Sequence, residues 1–396
     1  WINNKPQGVQ LQNIKIDDLL GRPVIDVHNK ILAQQLCGKR VLVTGAAGSI
    51  GSELVRQLIK YGPSVIVLCD KAESPLYELE LELLEEGTGV EIVPFIGCVS
   101  DRSRMQQLFE IYKPGLVYHA AAYKHVPMME KCPSISVVNN VLGTKVIAEL
   151  SVSFGVQKFV MISTDKAVNP TSIMGTSKRI AEIYIQSYYN HICEQQAAMI
   201  HGAPHEPVPT SFITTRFGNV LGSNGSVLPR FTQQLERGGP LTVTHPDIIR
   251  YFMTIPEACR LVLEAGLMGH GGEIFVFDMG RPIKIADLAK KIIRMSGKEP
   301  DKDIKIVYTG LRPGEKLYEE LLNDAEDLLP TYHEKIRIAR ACSCDFPCVE
   351  EQVNRLIAYA MEHDAACTVK LMKALVPEFL NKNSVFEQLD IEKVPI

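Results

Sequence analysis

The chain has 396 residues, is 46% hydrophobic and 22% charged, and carries a net charge of −4. That length buries a large core and suits one large α/β unit with a smaller appended lobe, and the composition is ordinary for a globular protein in water. The charge balance gives no reason to expect nucleic acid or an anionic membrane as a partner, although clustered Arg and Lys can still hold a small polyanion.

Residues 1–38 read as a weakly periodic arm, packed on the body or leading from an upstream domain. The first residue is Trp1 rather than Met, so the chain is read as a fragment or processed product, with an upstream membrane anchor left open. From Lys39 short apolar runs alternate with longer amphipathic ones. Arg40–Thr44, Val65–Asp70, Ile92–Ile96, Leu116–Ala120 and Phe159–Ser163 read as buried parallel strands. Between them, helices are expected from Ser49 to Tyr61, from an Asp101 cap to Tyr112, and from Ile135 to Phe154. This alternation predicts an α/β fold, a Rossmann-type doubly wound parallel sheet with right-handed crossovers. After about Thr215 the text breaks into loops and short elements, the expected look of a smaller C-terminal substrate-binding lobe, and a last helical stretch runs from Val349 to Leu380. The expected division is therefore 1–38 arm, 39–215 cofactor-binding unit, and 216–396 mainly substrate-binding lobe, with some C-terminal segments returning to the sheet.

The ten cysteines are scattered, and Cys69 and Cys98 lie inside apolar runs, which suits buried thiols in a reducing compartment. Cys342, Cys344 and Cys348 have near-metal spacing without a clear fourth ligand and read as loop thiols, so no metal is expected. No run reads as long enough to span a membrane, and no signal peptide is visible.

Gly45, Gly48 and Gly51 follow the first strand and open a helix at Ser49 and Ile50. Glycines there permit a tight turn and let backbone N–H groups approach a pyrophosphate at the helix N-terminus. Asp70 ends the next strand, where a carboxylate accepts from the ribose hydroxyls and repels a 2′-phosphate. That favours NAD over NADP, although the adjoining Lys71 offers a partner for a 2′-phosphate. Cys98 and Val99 end the third strand, at the expected adenine edge. Ala120, Ala121 and Ala122 end the fourth, leaving room for ribose and nicotinamide. Thr164, Asp165 and Lys166 end the fifth: hydroxyl, acid and base side by side at a strand terminus suit proton shuffling around a hydride transfer. Both charged side chains reach one substrate only if the strand has already turned there, and Asn169-Pro170 makes a turn plausible.

The glycine spacing, His119-Ala-Ala-Ala122, Asn140 and Lys178 together resemble the extended short-chain dehydrogenase/reductases. More narrowly, Tyr118–Val126, Ser163–Pro170, Arg216–Val220, Thr244–Asp247, Arg250–Thr254 and Arg312–Leu317 look like the polysaccharide-biosynthesis nucleotide-sugar dehydratases. The subgroup implied is UDP-N-acetylglucosamine 4,6-dehydratase, of the larger bacterial kind with N-terminal membrane helices and a cytoplasmic catalytic domain. In that kind a methionine replaces the catalytic tyrosine, as Met174 does here. One departure is Cys98, where the family usually has an aspartate that accepts from the adenine amino group; a thiol accepts far more weakly.

The resemblance implies oxidation of sugar carbon 4 by NAD, loss of water across carbons 5 and 6, and return of hydride to carbon 6. Lys166 suits the carbon 5 base if its pKa is lowered. Asp165 suits the acid for the departing 6-hydroxyl if its pKa is raised. Lys178, on the helical face of Met174, orients the ribose, and Asn140 belongs to the cofactor site. A thioether cannot accept the carbon 4 hydroxyl proton, so Thr164 is expected to relay it. For the UDP-sugar, Arg250 and Arg312 suit the diphosphate, Asn219 donates to a phosphate, Ser226 and Val227 offer groups to uracil, and Lys124 faces the sugar; Glu315 is expected at ligand or paired with one of the arginines. A homodimer or higher homo-oligomer is expected, for which long amphipathic helices such as 135–154 and 176–190 could form the helix-bundle dimer common in this family, and the methionine variant suggests retention at carbon 5. Two other readings stay open: a UDP-sugar 4- or 5-epimerase, and a catalytically dead cofactor-binding scaffold. The acid aimed at a 6-hydroxyl speaks against the first, and the intact acid and base against the second.

Overall fold

The computed structural model describes residues 30–87, 89–199, 210–320, 328–339 and 344–390. Most of the expected arm and Cys342 lie outside them. Of the arm, Lys30–Leu36 is helical and buries Leu32 and Leu36 against the body.

The strands, in chain order, are β1 (Arg40–Thr44), β2 (Val65–Asp70), β3 (Glu91–Ile96), β4 (Leu116–His119), β5 (Lys158–Thr164), β6 (Ser211–Phe217), β7 (Asn219–Leu221), β8 (Leu241–Val243), β9 (Ile249–Arg250), β10 (Phe252–Thr254), β11 (Ile274–Phe277), β12 (Ile283–Lys284), β13 (Ile306–Tyr308), β14 (Leu328–Pro330) and β15 (Ile336–Ala339). Nine form one sheet in the order β14-β15-β11-β6-β5-β4-β1-β2-β3. Neighbours from β3 through β11 are parallel, whereas β15 and β14 add on antiparallel. The apolar runs exist because helices cover both faces: Val41, Leu42, Val43, Ile66, Val67 and Leu68 are wholly buried. β3 is the exposed edge and tolerates Pro94, which a central strand would not. Strand order reverses between β1 and β4, and the crevice outside their carboxyl ends is where such sheets take ligands.

Asp101 caps Arg102–Tyr112 by accepting from the Arg104 N–H, as expected. The stretch expected as one helix from Ile135 is instead Pro133–Val137, a π-turn at Val138–Leu142 and Gly143–Ser153. The extra residue in that turn carries Asn139 and Asn140 toward the crevice. By length and composition Pro133–Ser153 could cross a membrane, contrary to the sequence reading, yet 67% of its apolar window is buried inside the fold. It is a core helix.

The C-terminal stretch is two helices, Phe346–Met361 and Ala365–Leu375, broken where His363 takes φ 59° and Asp364 caps the second. The first of them lies across the face that the sequence assigned to a dimer. Phe346 packs its ring 5.7 Å from Tyr184, 5.0 Å from Tyr188 and 4.9 Å from His191. These belong to Ile173–Met199, whose residues from Ile173 to Ile185 are almost all buried. Part of the surface expected for a helix-bundle dimer is thus covered within the chain.

A separate apolar cluster, with Leu221, Phe231, Leu241, Phe252 and Ile292 at its heart, supports the small sheets β7–β10, β8–β13 and β9–β12. These hold Asn219 and Arg250 over the carboxyl end of β5.

Candidate active site

Gly45 takes φ 66°, and a Cβ there would lie 2.6 Å from the Ala121 nitrogen; a Cβ at Gly51 would overlap the Gly45 carbonyl oxygen. Only glycine lets this loop lie so close to the end of β4. Asp70 frames it, accepting from Ala47 N–H through Oδ2 and from Ala72 N–H through Oδ1, each at 3.0 Å. Each oxygen keeps a lone pair for a ligand. A cavity of about 130 Å³ opens here, lined by Gly45, Gly48, Asp70, Cys98, Val99 and Ala120 to Ala122. Ser49 and Ile50 begin the helix pointing at it, and the Ser49 hydroxyl accepts from the Asn224 N–H at 3.2 Å, tying the glycine loop to the small lobe. The cradle that a Cβ would fill, the helix N-terminus and the small-residue floor fit an extended dinucleotide.

Lys71 donates to the Tyr123 hydroxyl and to Asn139 Oδ1 at 3.4 Å, with its nitrogen 3.7 Å from the Tyr123 ring centroid. Its charge is held across the cavity rim. Cys98 Sγ sits 3.2 Å from Ser100 Oγ.

Behind the crevice, Asn140 is fully committed. It accepts from the Tyr123 N–H at 2.8 Å and donates to the Tyr123 carbonyl and the Ser177 hydroxyl at 3.0 Å. It fixes the loop after β4 to Ile173–Met199, so its part in a cofactor site is positional. His119 is wholly buried between Thr44 (2.8 Å) and Thr144 (3.0 Å). Thr144 gives its only proton to the Asn140 carbonyl, so His119 Nε2–H donates to Thr144 and Nδ1 accepts from Thr44. Burial pushes the imidazole pKa down to about 3, which keeps it neutral. Lys178 is buried with no protein partner among the described residues, and desolvation brings its pKa down to about 8. Met174, one helical turn before it, is buried in the main apolar core.

β5 ends at Thr164, and Asp165–Ala167 turns at once into a 3-10 turn, which brings the acid and base onto one side. Lys166 Nζ lies 3.0 Å from Asp165 Oδ1, which also accepts from Thr164 Oγ1 at 2.9 Å. Asp165 is wholly buried, and its Oδ2 has no hydrogen-bond partner. Burial raises its pKa despite the nearby ammonium, the direction an acid needs. A Cβ on Gly175 would overlap the Lys166 carbonyl, so the helix start can approach this turn only as glycine.

Lys166 corrects the sequence reading, which asked for a lowered pKa. Burial pulls it down, but the carboxylates of Asp165 and Glu319 outweigh burial and the net shift is upward. Glu319, which sequence reasoning missed, is buried with Oε1 3.3 Å from Lys166 Nζ and 3.3 Å from Arg250 Nε. Its Oε2 has no partner. Only Glu315 had been singled out in that string, and nothing in the spacing says which acid points inward.

Arg250 offers no free fork. Nη1 donates to the Ile249 carbonyl at 2.7 Å, Nη2 to that of Lys316 at 2.8 Å, and Nε pairs with Glu319. Glu315 stands between the arginines, 3.5 Å from Arg250 and 3.2 Å from Arg312, as the pairing alternative anticipated. Arg312 is the exposed one, with 58% of its side chain accessible. Asn219 accepts from Lys166 Nζ at 3.2 Å and donates to the Tyr251 carbonyl. Ser226 caps the helix Val227–Glu236, yet its buried hydroxyl has no partner, a spare polar atom suited to a ligand edge. Lys124 is exposed, with no protein partner among the described residues, and desolvation lowers its pKa. Among the described residues no cluster of three or more His, Cys, Asp or Glu stands ready for a metal.

Sheet order, glycine cradle and acid–base turn define an extended short-chain dehydrogenase/reductase, a nucleotide-binding α/β fold with an appended lobe. Within that class the chain belongs to the family described as polysaccharide biosynthesis protein, whose model matches residues 41–341. It is 50% identical over 327 residues to the capsular polysaccharide biosynthesis protein CapD of Staphylococcus aureus, covering 82% of this chain and 52% of that one. It thus spans about half the length of that curated relative. A Campylobacter jejuni protein named UDP-N-acetylglucosamine 4,6-dehydratase (inverting) is 30% identical over 294 residues, 74% of this chain and 80% of its own. The X-ray structure of Pen from Bacillus thuringiensis matches with TM-score 0.68 at 26% identity, covering 81% of this chain and 99% of that one.

Proposed function

We propose that this chain dehydrates UDP-N-acetylglucosamine across carbons 5 and 6, using bound NAD and returning a 4-keto-6-deoxy sugar. The observation that carries the reading is the Asp165 carboxyl, buried, raised in pKa and unpartnered at Oδ2, against Lys166 at 3.0 Å. An elimination needs an acid for the leaving hydroxyl and a base for the carbon 5 proton, whereas epimerisation alone has no use for the acid.

When bound, the nicotinamide supplies the oxidant that makes carbon 4 a ketone and the hydride that ends on carbon 6. Gly45, Gly48 and the helix start at Ser49 would hold its pyrophosphate, and Asp70 its ribose. Lys71, the lysine next to Asp70, is committed to Tyr123 and Asn139 rather than free for a 2′-phosphate, which supports NAD over NADP.

The protein's share is proton traffic. Thr164 Oγ1 accepts the carbon 4 hydroxyl proton and releases one to solvent, so that the Asp165–Lys166 pair to which it hydrogen-bonds still holds a single proton. Asp165 and Lys166 share one proton along their contact. With that proton on Asp165, the pair is acid and base at once: Lys166 takes the carbon 5 proton while Asp165 gives its proton to the departing 6-hydroxyl; Lys166 then gives a proton back to carbon 5 as hydride reaches carbon 6, and the pair regains its own from solvent. Met174 contributes bulk and no proton. Arg312 and the spare Ser226 hydroxyl serve the diphosphate and uracil, and Lys124 the sugar. The proposal extends to a cytoplasmic site in a bacterium, with retention at carbon 5.

Incubation with UDP-N-acetylglucosamine and mass measurement of the nucleotide product tests the reading. Loss of one water is expected. Unchanged mass with altered stereochemistry would make it an epimerase, and no turnover a scaffold.

A further inference from the structure

Buried carboxylates are costly, and one that keeps an unpartnered oxygen needs a reason to stay. Two such carboxylates share the same ammonium. Asp165 Oδ2 and Glu319 Oε2 are both buried without a hydrogen bond, and both side chains reach Lys166 through their other oxygen, at 3.0 and 3.3 Å. Glu319 Oε1 is held equally by Arg250 Nε at 3.3 Å, and Arg250 is locked in turn by the carbonyls of Ile249 and Lys316. The chain of contacts runs from the rigid β9 strand through one carboxylate oxygen to the base.

We propose that Glu319 is a positioning residue of this site: braced by Arg250, it holds the Lys166 ammonium beside Asp165 and governs how firmly the pair keeps its shared proton.

The charged groups around Lys166 are few. Asp165 on its own turn and Glu319 from the segment after Arg312 hold its proton on, Arg250 from β9 pushes it off, and Asn219 from β7 is neutral. Lys316 faces Glu319 rather than Lys166. Glu319 also acts on Asp165, where its charge adds to burial in favour of the protonated acid. Removing that charge must therefore loosen the proton on both partners.

The inference gives its meaning to the dehydratase reading, but the decisive experiment needs no substrate. Titrate the lysine side chains of the full chain by carbon-13 NMR, with Lys166→Arg to assign the Lys166 signal. In the wild type, Lys166 is expected to titrate above Lys178 and Lys124, which make no ion pair among the described residues. In Glu319→Gln its titration moves to lower pH, and Glu319→Asp, which keeps the charge, restores most of the wild-type value. A Lys166 titration unmoved in Glu319→Gln overturns the proposal. Should that variant not fold, a wild-type Lys166 titrating at or below Lys178 overturns it equally. Where turnover is observed, both limbs of the pH–rate profile move to lower pH in Glu319→Gln; a drop in rate with both limbs in place would mark a merely structural role. Absence of turnover in the wild type would count against the dehydratase reading and leave the titration to decide on Glu319.

Discussion

In the proposed reaction Asp165 is an acid because burial denies it water. Asp165→Asn keeps shape and burial but removes the transferable proton, so dehydration is expected to fall by about 10²–10⁴-fold, read from product formation. Thr164→Val should cost a comparable factor; undiminished conversion would remove the threonine from the relay. His119 gives a pH test of stability. Its folded pKa is lowered to about 3 from an ordinary 6.5, so below pH 6.5 the unfolded chain binds a proton that the folded one refuses. Its contribution is fully present above that value and is lost as pH falls toward 3, by about 1.4 kcal/mol per unit. Denaturant titrations from pH 7 to 4 should show a shallower loss in His119→Gln. At this scale the contact between Asp165 and Lys166 was legible because they adjoin in the chain. Glu319 was not, since only the folding of the small lobe over β5 brings it to Lys166.

Elements decide how closely these groups approach. Ile173–Met199 begins against the Lys166 carbonyl at Gly175, where no Cβ fits. Gly175→Ala should cost about 1–3 kcal/mol of stability by overpacking, seen as a lowered melting temperature, and should depress turnover further by shifting the acid–base turn. The cavity rim makes a second case. Tyr123→Ala leaves Lys71 only its longer contact to Asn139, so the proposed preference for NAD over NADP should narrow, which competition binding of the two dinucleotides would reveal; an unchanged ratio would mean that Asp70 sets it alone. The strands were legible from their short apolar runs, because burial on both faces writes itself into every position. The π-turn at Val138–Leu142 was not, because one extra residue hardly disturbs a pattern that is apolar on nearly all sides.

Across the whole molecule, the return of the chain matters most. β11, β15 and β14 come back to finish the sheet, and Phe346–Met361 closes over the helices that sequence reasoning left open for a second copy. Phe346→Ala is expected to destabilise the fold by about 3 kcal/mol and expose the Tyr184–Tyr188 surface, measurable as a lower melting temperature with raised dye binding. The parallel, doubly wound sheet was legible from the β-α-β alternation, since right-handed crossovers leave few alternatives. The covering of one helix face by another is long-range packing, and no periodicity in the sequence announces it.

The account turns on a carbon 5 proton removed and a 6-hydroxyl expelled by Asp165 and Lys166 above the dinucleotide crevice. Running the reaction with UDP-N-acetylglucosamine in heavy water and reading the product by mass and NMR tests this directly. A product lacking one water and carrying solvent deuterium at carbon 5 is predicted. A product of unaltered composition, or one without deuterium at that carbon, would contradict the account.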